Sequence, residues 1–132
     1  MITGVHHILL AAPPGSEDAL RAFYTDVLGL EEITKPPELA RRGGAWFRTT
    51  DRHGHGNGHG IELHLGIEDT FRPARKAHPA LLVHDLDALA ARLRAAGHDI
   101  TPDTLLPGHR RFYADDPVGN RLEFLEPARP SR

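Results

Sequence analysis

The stretch Asp115-Asp116-Pro117-Val118-Gly119-Asn120-Arg121-Leu122-Glu123-Phe124-Leu125 decides how the rest of the chain is read. Its first part is turn chemistry, with Pro117 and Gly119 placed where a tight turn wants a fixed φ and a free one. Its second part reads as a strand in which one carboxylate sits between large apolar residues. Side chains alternate along a strand, so Leu122 and Phe124 belong to one face and Glu123 to the other. A sheet with one apolar face and one functional face follows.

The same form occurs earlier, as Ile61-Glu62-Leu63 within a strand expected over residues 60–66. What precedes each copy is also alike. An apolar run at 5–12, bounded by Gly4 and by Pro13-Pro14-Gly15, reads as a buried strand. Ser16 is the expected N-cap of a helix with Glu17 and Asp18 in its first turn. Leu20, Phe23, Tyr24, Val27 and Leu28 recur at helical spacing, and Gly29 supplies the stop. Strands are then expected at 31–34 and 45–50. The second half starts with an apolar run at 79–83, followed by Asp85 as N-cap and a helix through Leu86, Leu89, Ala90, Leu93 and Ala96. Gly97 ends it, and strands follow at 99–101, 111–114 and 121–125.

Strand, helix and three strands therefore occur twice, which is an internal repeat. The predicted class is α+β, with two βαβββ modules forming a cup-shaped, incompletely closed mixed sheet and helices outside. Residues 1–132 form one domain in this reading, with repeats 1–66 and 78–127 joined by a linker at 67–77. The Gly- and His-rich stretch 51–60 is expected to be a mobile loop, and the tail from Pro127 to be frayed.

Composition narrows the function. A chain of 132 residues with 39% hydrophobic and 26% charged residues is an ordinary globular domain. A formal charge of −2 gives no nucleic-acid signal, and no apolar run approaches the roughly 18 residues of a membrane span. No basic, apolar and small-residue leader opens the chain, so a cytoplasmic location is expected. With no cysteine, disulfides, thiolate metal sites and a thiol nucleophile are excluded. No nucleophile elbow, phosphate loop or dinucleotide fingerprint is present.

Laying one repeat on the other sets His7 against His78 and Glu62 against Glu123. Two imidazoles and two carboxylates converging across a cup suit a divalent ion, Fe, Mn, Ni, Co or Zn, with positions left open for substrate. Taken singly, each Glu reads more readily as a solvated residue and each His as a strand-end residue with hydrogen-bond partners. Repetition in register favours the site. Glu62 and His64 are two residues apart and share a face, so either completes the set, the other lining the pocket or holding the ligand. His53, His55 and His59 are set aside, because ligands on a flexible loop cost ordering entropy. Trp46 and Arg48, with Arg111 and Tyr113, are candidates for an apolar wall and an anion clamp around a substrate.

Three segments resemble the vicinal oxygen chelate superfamily, which spans glyoxalases, bleomycin-resistance proteins and extradiol dioxygenases. They are Gly4-Val5-His6-His7-Ile8, Phe23-Tyr24-Thr25-Asp26-Val27-Leu28-Gly29-Leu30 and Asp116-Pro117-Val118-Gly119-Asn120-Arg121-Leu122-Glu123. The likeness covers nearly the whole chain. It selects His7 over His6 and implies His7, Glu62, His78 and Glu123 as metal ligands, with Glu62 or Glu123 also the general base. It further implies a metal-dependent lyase or isomerase that abstracts a proton next to a carbonyl of a small oxygen-rich substrate. The alternatives are an extradiol-type ring-cleaving dioxygenase, with His64 as the one candidate for its additional acid–base group, and a metal-free drug- or metabolite-binding resistance protein. A fosfomycin-transferase reading ranks lower, because Phe-Leu-Glu-Pro follows Glu123 where that group has a hydroxyl-rich tract. Half-domains of this kind pair edge to edge within a chain or between chains, so a homodimer is expected.

Overall fold

A computed structural model describes residues 1–50 and 60–129. Eight strands form two four-stranded sheets of the same plan, ordered β1-β4-β3-β2 and β5-β8-β7-β6. The first contains β1 (His7–Ala12), β2 (Glu31–Ile33), β3 (Ala45–Arg48) and β4 (Glu62–Ile67), and the second β5 (Ala80–Leu82), β6 (Thr101–Asp103), β7 (His109–Asp115) and β8 (Arg121–Pro127). In each sheet the first strand pairs parallel with the last, and the remaining pairs are antiparallel. Each sheet is mixed and open, as the two βαβββ modules require.

The helices are less regular than the spacing predicts. Helix α1 (Glu17–Arg21) passes without a break into a π-helical segment, Ala22–Val27, in which the Leu28 N–H bonds to the Phe23 carbonyl five residues back. Gly29, at φ +77°, ends it as expected. Ser16 does not cap α1 with its side chain, because its hydroxyl donates instead to the Pro13 carbonyl. A short helix α2 (Pro37–Ala40) stands where none was expected. Helix α3 (Leu86–Ala95) begins on Asp85, whose carboxylate accepts from the Ala88 N–H. Strand β7 is longer than expected and β5 shorter, and β6 begins two residues later. Gly44 has a steric reason to be glycine: a Cβ there would lie 2.0 Å from the Leu65 carbonyl oxygen.

Both sheets turn their apolar faces into one core. Leu10, Phe47, Leu63 and Leu65 from the first sheet join Phe112, Leu122 and Phe124 from the second, with Leu20, Phe23, Tyr24 and Leu93 from the helices. Each of the large side chains contributes about 1.5–3 kcal/mol by leaving water. The turn before Glu123 locks the two halves together. Asp116 accepts from the backbone of Val118 and Asn120, from the Asn120 side chain, and from the Tyr24 hydroxyl at 2.7 Å. Asn120 in turn donates to the Ala11 carbonyl in β1 and accepts from the Ala74 N–H. A buried carboxylate is tolerated because these donors surround it.

Candidate metal and substrate faces

With the apolar faces spent on the core, the polar face of each sheet looks outward. In the first sheet, register places His7 beside Glu62, and opposite them Arg48 beside Glu62 and Trp46 beside His64. His64 Nε2 lies 2.9 Å from Glu62 Oε1. Its ring is closed on both sides, by Trp46 at 4.0 Å and 6° and by His7 at 4.1 Å and 13°. His64 is 5% exposed, and that burial pushes its pKa down, so the neutral ring donates Nε2–H to the carboxylate. The same hydrogen bond holds Glu62 below the ordinary carboxylate value. Arg48 shares the face of Glu62 but already has a partner. It is turned to Glu31 at the exposed rim, through Nε at 3.1 Å and Nη2 at 3.2 Å.

In the second sheet, His78 stands two residues ahead of β5, and its Nε2 lies 2.9 Å from Glu123 Oε1. Its Nδ1 lies 2.9 Å from the Lys76 carbonyl and 3.1 Å from that of Arg75. Both ring nitrogens thus face oxygen acceptors. The other carboxylate oxygen of Glu123 accepts from Arg111 Nη1 at 3.0 Å, and Arg111 Nε donates to Asp103 at 3.0 Å. Burial works against the Glu123 charge, yet the bonds from His78 and Arg111 outweigh it and hold its pKa low. Tyr113 presents its ring to the edge of His78 at 5.6 Å, with the guanidinium of Arg111 at 5.4 Å and that of Arg121 at 5.6 Å.

The four expected ligands therefore stand as two pairs, one on each sheet. Among the described residues, no three His, Asp or Glu side chains of one chain gather as a metal cage. The loop histidines His53, His55 and His59 lie outside the described residues. Sequence reading missed Asp103 and Glu31, which occupy Arg111 and Arg48, and did not single out Arg121 on the face of Glu123. The signal for Arg121 was present, since it is two residues from Glu123 on the same strand and so shares its face.

The repeated βαβββ unit and the paired His and Glu on each polar face define a class of paired-module, cup-forming proteins. The sequence profile of the Glyoxalase/Bleomycin resistance protein/Dioxygenase superfamily matches residues 4–124. The chain belongs to this superfamily. A glyoxalase family protein from Bacillus anthracis is similar to it at 43% identity and a TM-score of 0.85, over 97% of this chain and 98% of that one. Two more distant structures show the shared fold: lactoylglutathione lyase from Agrobacterium tumefaciens (22% identity, TM-score 0.68, 95% and 94% covered) and the antibiotic binding protein TnmS3 from Streptomyces sp. CB03234 (21%, 0.63, 97% and 100%). One is a lyase and the other a binding protein, so the fold alone does not choose the activity. No curated protein matches the chain. No helix among the described residues is long and apolar enough to cross a membrane.

Proposed function

We propose that the protein is a divalent-metal-dependent lyase or isomerase that abstracts a proton next to a carbonyl of a small oxygen-rich substrate. Its site is composed of His7 and Glu62 from one copy of the chain and His78 and Glu123 from a second. The observation that carries this reading is His78. A neutral imidazole has one N–H, and here Nδ1 lies against two backbone carbonyls while Nε2 lies against a carboxylate oxygen. With Nδ1–H held by backbone oxygen, Nε2 and Glu123 Oε1 suit a shared divalent ion, the usual outer arrangement of a ligating histidine.

When bound, such an ion polarises substrate oxygens and stabilises negative charge as it develops. The protein's own residues do the rest. Glu62, oriented by His64 at the polar face, is the base that takes the proton. His64, enclosed by Trp46 and His7, positions that carboxylate. Arg111 fixes Glu123 in one orientation.

Assembly from two copies is favoured by the shared core, which leaves each polar face without an opposite wall. Beside those faces, on the edge strands β1 and β5, Leu9 is 63% and Leu82 50% exposed. Apolar side chains on open edges are what a second copy would cover. The loss of the edges to pairing also removes an aggregation risk.

A metal-free binding protein is the second reading, favoured by the ion pair that already satisfies Glu123 and by the stacked wall of Trp46, His64 and His7. The dioxygenase reading ranks behind both, because His64, its candidate acid–base group, is enclosed by rings and spends Nε2 on Glu62. Titration of apo protein with Mn, Fe, Co, Ni and Zn separates the first two. One equivalent per chain, weakened in Glu62→Gln and Glu123→Gln, is expected. No binding of any of these ions contradicts the proposal and leaves the binder.

A further inference from the structure

We infer that Arg121 is the anion-recognition residue of the second sheet, so that the small molecule taken there carries a carboxylate. This inference rests on the reading of that face as a small-molecule site. Among the described strand residues, three arginines, Arg48, Arg111 and Arg121, stand on the two polar faces, and two of them are occupied. Arg48 is held by both oxygens of Glu31. Arg111 is held between Glu123 and Asp103.

Arg121 differs. Its cross-strand neighbour in β7 is Asp115, the carboxylate best placed to neutralise it. That carboxylate instead pairs with Arg75 at 2.8 Å. Among the described residues, the Arg121 side chain has neither an ion pair nor a hydrogen bond, and its guanidinium lies over the Tyr113 ring. The ring faces of Tyr113 attract the cation without using its N–H groups. Arg121 is a half-buried residue whose guanidinium rests over Tyr113 with its donors unspent among the described residues.

Its position matters as much as its freedom. Arg121 precedes Glu123 by two residues on β8, and Tyr113 is opposite Glu123 in the register, so cation, ring and carboxylate share one face. Arg111 approaches Tyr113 from two residues earlier on β7, and Arg121 from the other side along the strand. A planar guanidinium matches a carboxylate through two parallel hydrogen bonds. A ligand whose carboxylate docks on Arg121 would direct its neighbouring oxygen toward the Glu123 and His78 pair. That geometry points to 2-hydroxy or 2-oxo acids as the substrate class.

Lactate and lactamide test this, since they differ in charge and keep the vicinal oxygens. Each is titrated into full-length, metal-free protein and followed by NMR chemical shifts. Wild type should prefer lactate by about ten-fold, the range of a charge-assisted contact at a partly exposed site. Arg121→Gln should erase the preference, Arg121→Lys should keep part of it, and Arg94→Gln, on the exposed side of α3, should keep all of it. Equal affinity for the two ligands in wild type, or a preference surviving in Arg121→Gln, overturns the inference. Tighter binding of hydroxymethylphosphonate than of lactate overturns the carboxylate assignment in favour of a phosphonate. Metal titration of the same proteins keeps the two proposals apart: wild type that prefers lactate but binds no metal refutes the metalloenzyme and leaves Arg121 in its role.

Discussion

Each sheet carries a His and a Glu on its polar face, with His7 in register with Glu62 but His78 two residues ahead of Ala80, which faces Glu123, and the two sheets hold the glutamate by different means. In the first, Glu62 is steered by a neutral His64 locked between Trp46 and His7, and its side chain remains partly open. In the second, Glu123 is 6% exposed and held by His78 on one oxygen and Arg111 on the other. The two halves thus repeat the same residue types, His and Glu, in different surroundings. A partly open carboxylate suits proton transfer, and a buried, charge-balanced one suits permanent ligation. In the proposed function Glu62 is accordingly the base and Glu123 the anchor.

The sharpest way to break this contrast is Glu123→Ala. It should abolish metal binding and, by leaving Arg111 with Asp103 alone, cost about 1–3 kcal/mol of stability in chemical denaturation. Undiminished metal affinity in that variant would make the contrast meaningless. Glu62→Gln should lower activity by about two orders of magnitude or more, as loss of a general base does, and do so more strongly than His64→Gln. Steady-state kinetics with a 2-oxo acid or related carbonyl substrate checks the order, and the reverse order would transfer the role to His64.

Acid titration sharpens the comparison further. The native Glu123 pKa lies below the ordinary 4.5, so its contribution to stability is present above 4.5 and is lost as pH falls through the native value. Glu123→Gln should therefore flatten the acid limb of the stability curve below pH 4.5. Thermal melts across that range read the change. Glu62 is more open, and its share of the acid limb should be smaller. Tyr24→Phe has the smallest reach: it removes a donor to Asp116, costs about 1.5–3 kcal/mol of stability as a bond to a charged group, and leaves metal affinity unchanged.

Much of this was legible in the chain. Strand alternation around Glu62 and Glu123 exposed the repeat because an acid between large apolar residues is explicable only by a two-faced strand. Asp85, Gly29 and Gly97 marked helix ends through local chemistry that tertiary packing did not override. The π-helical turn at Ala22–Val27 was not legible, because Phe23 and Tyr24 read at helical spacing and the i+5 bond is a product of how they pack. Nor was the fate of Arg48 and Arg111, since Glu31 and Asp103 become their partners only through strand pairing. The Asp116 and Asn120 turn was recognisable as a motif, but its work of clamping β1, Tyr24 and the linker together depends on contacts between residues far apart in the chain.

In the proposed assembly, one site draws on both sheets through two copies of the chain. Mixing His7→Ala and Glu123→Ala chains, each unable to bind metal by itself, tests it most directly. If the copies exchange halves, a mixed dimer contains one site with His7, Glu62, His78 and Glu123 all intact, and metal binding returns at about one ion per mixed dimer. If metal binding does not return in mixed dimers verified by native mass spectrometry, each chain's site does not depend on the partner in this way, and the account is contradicted.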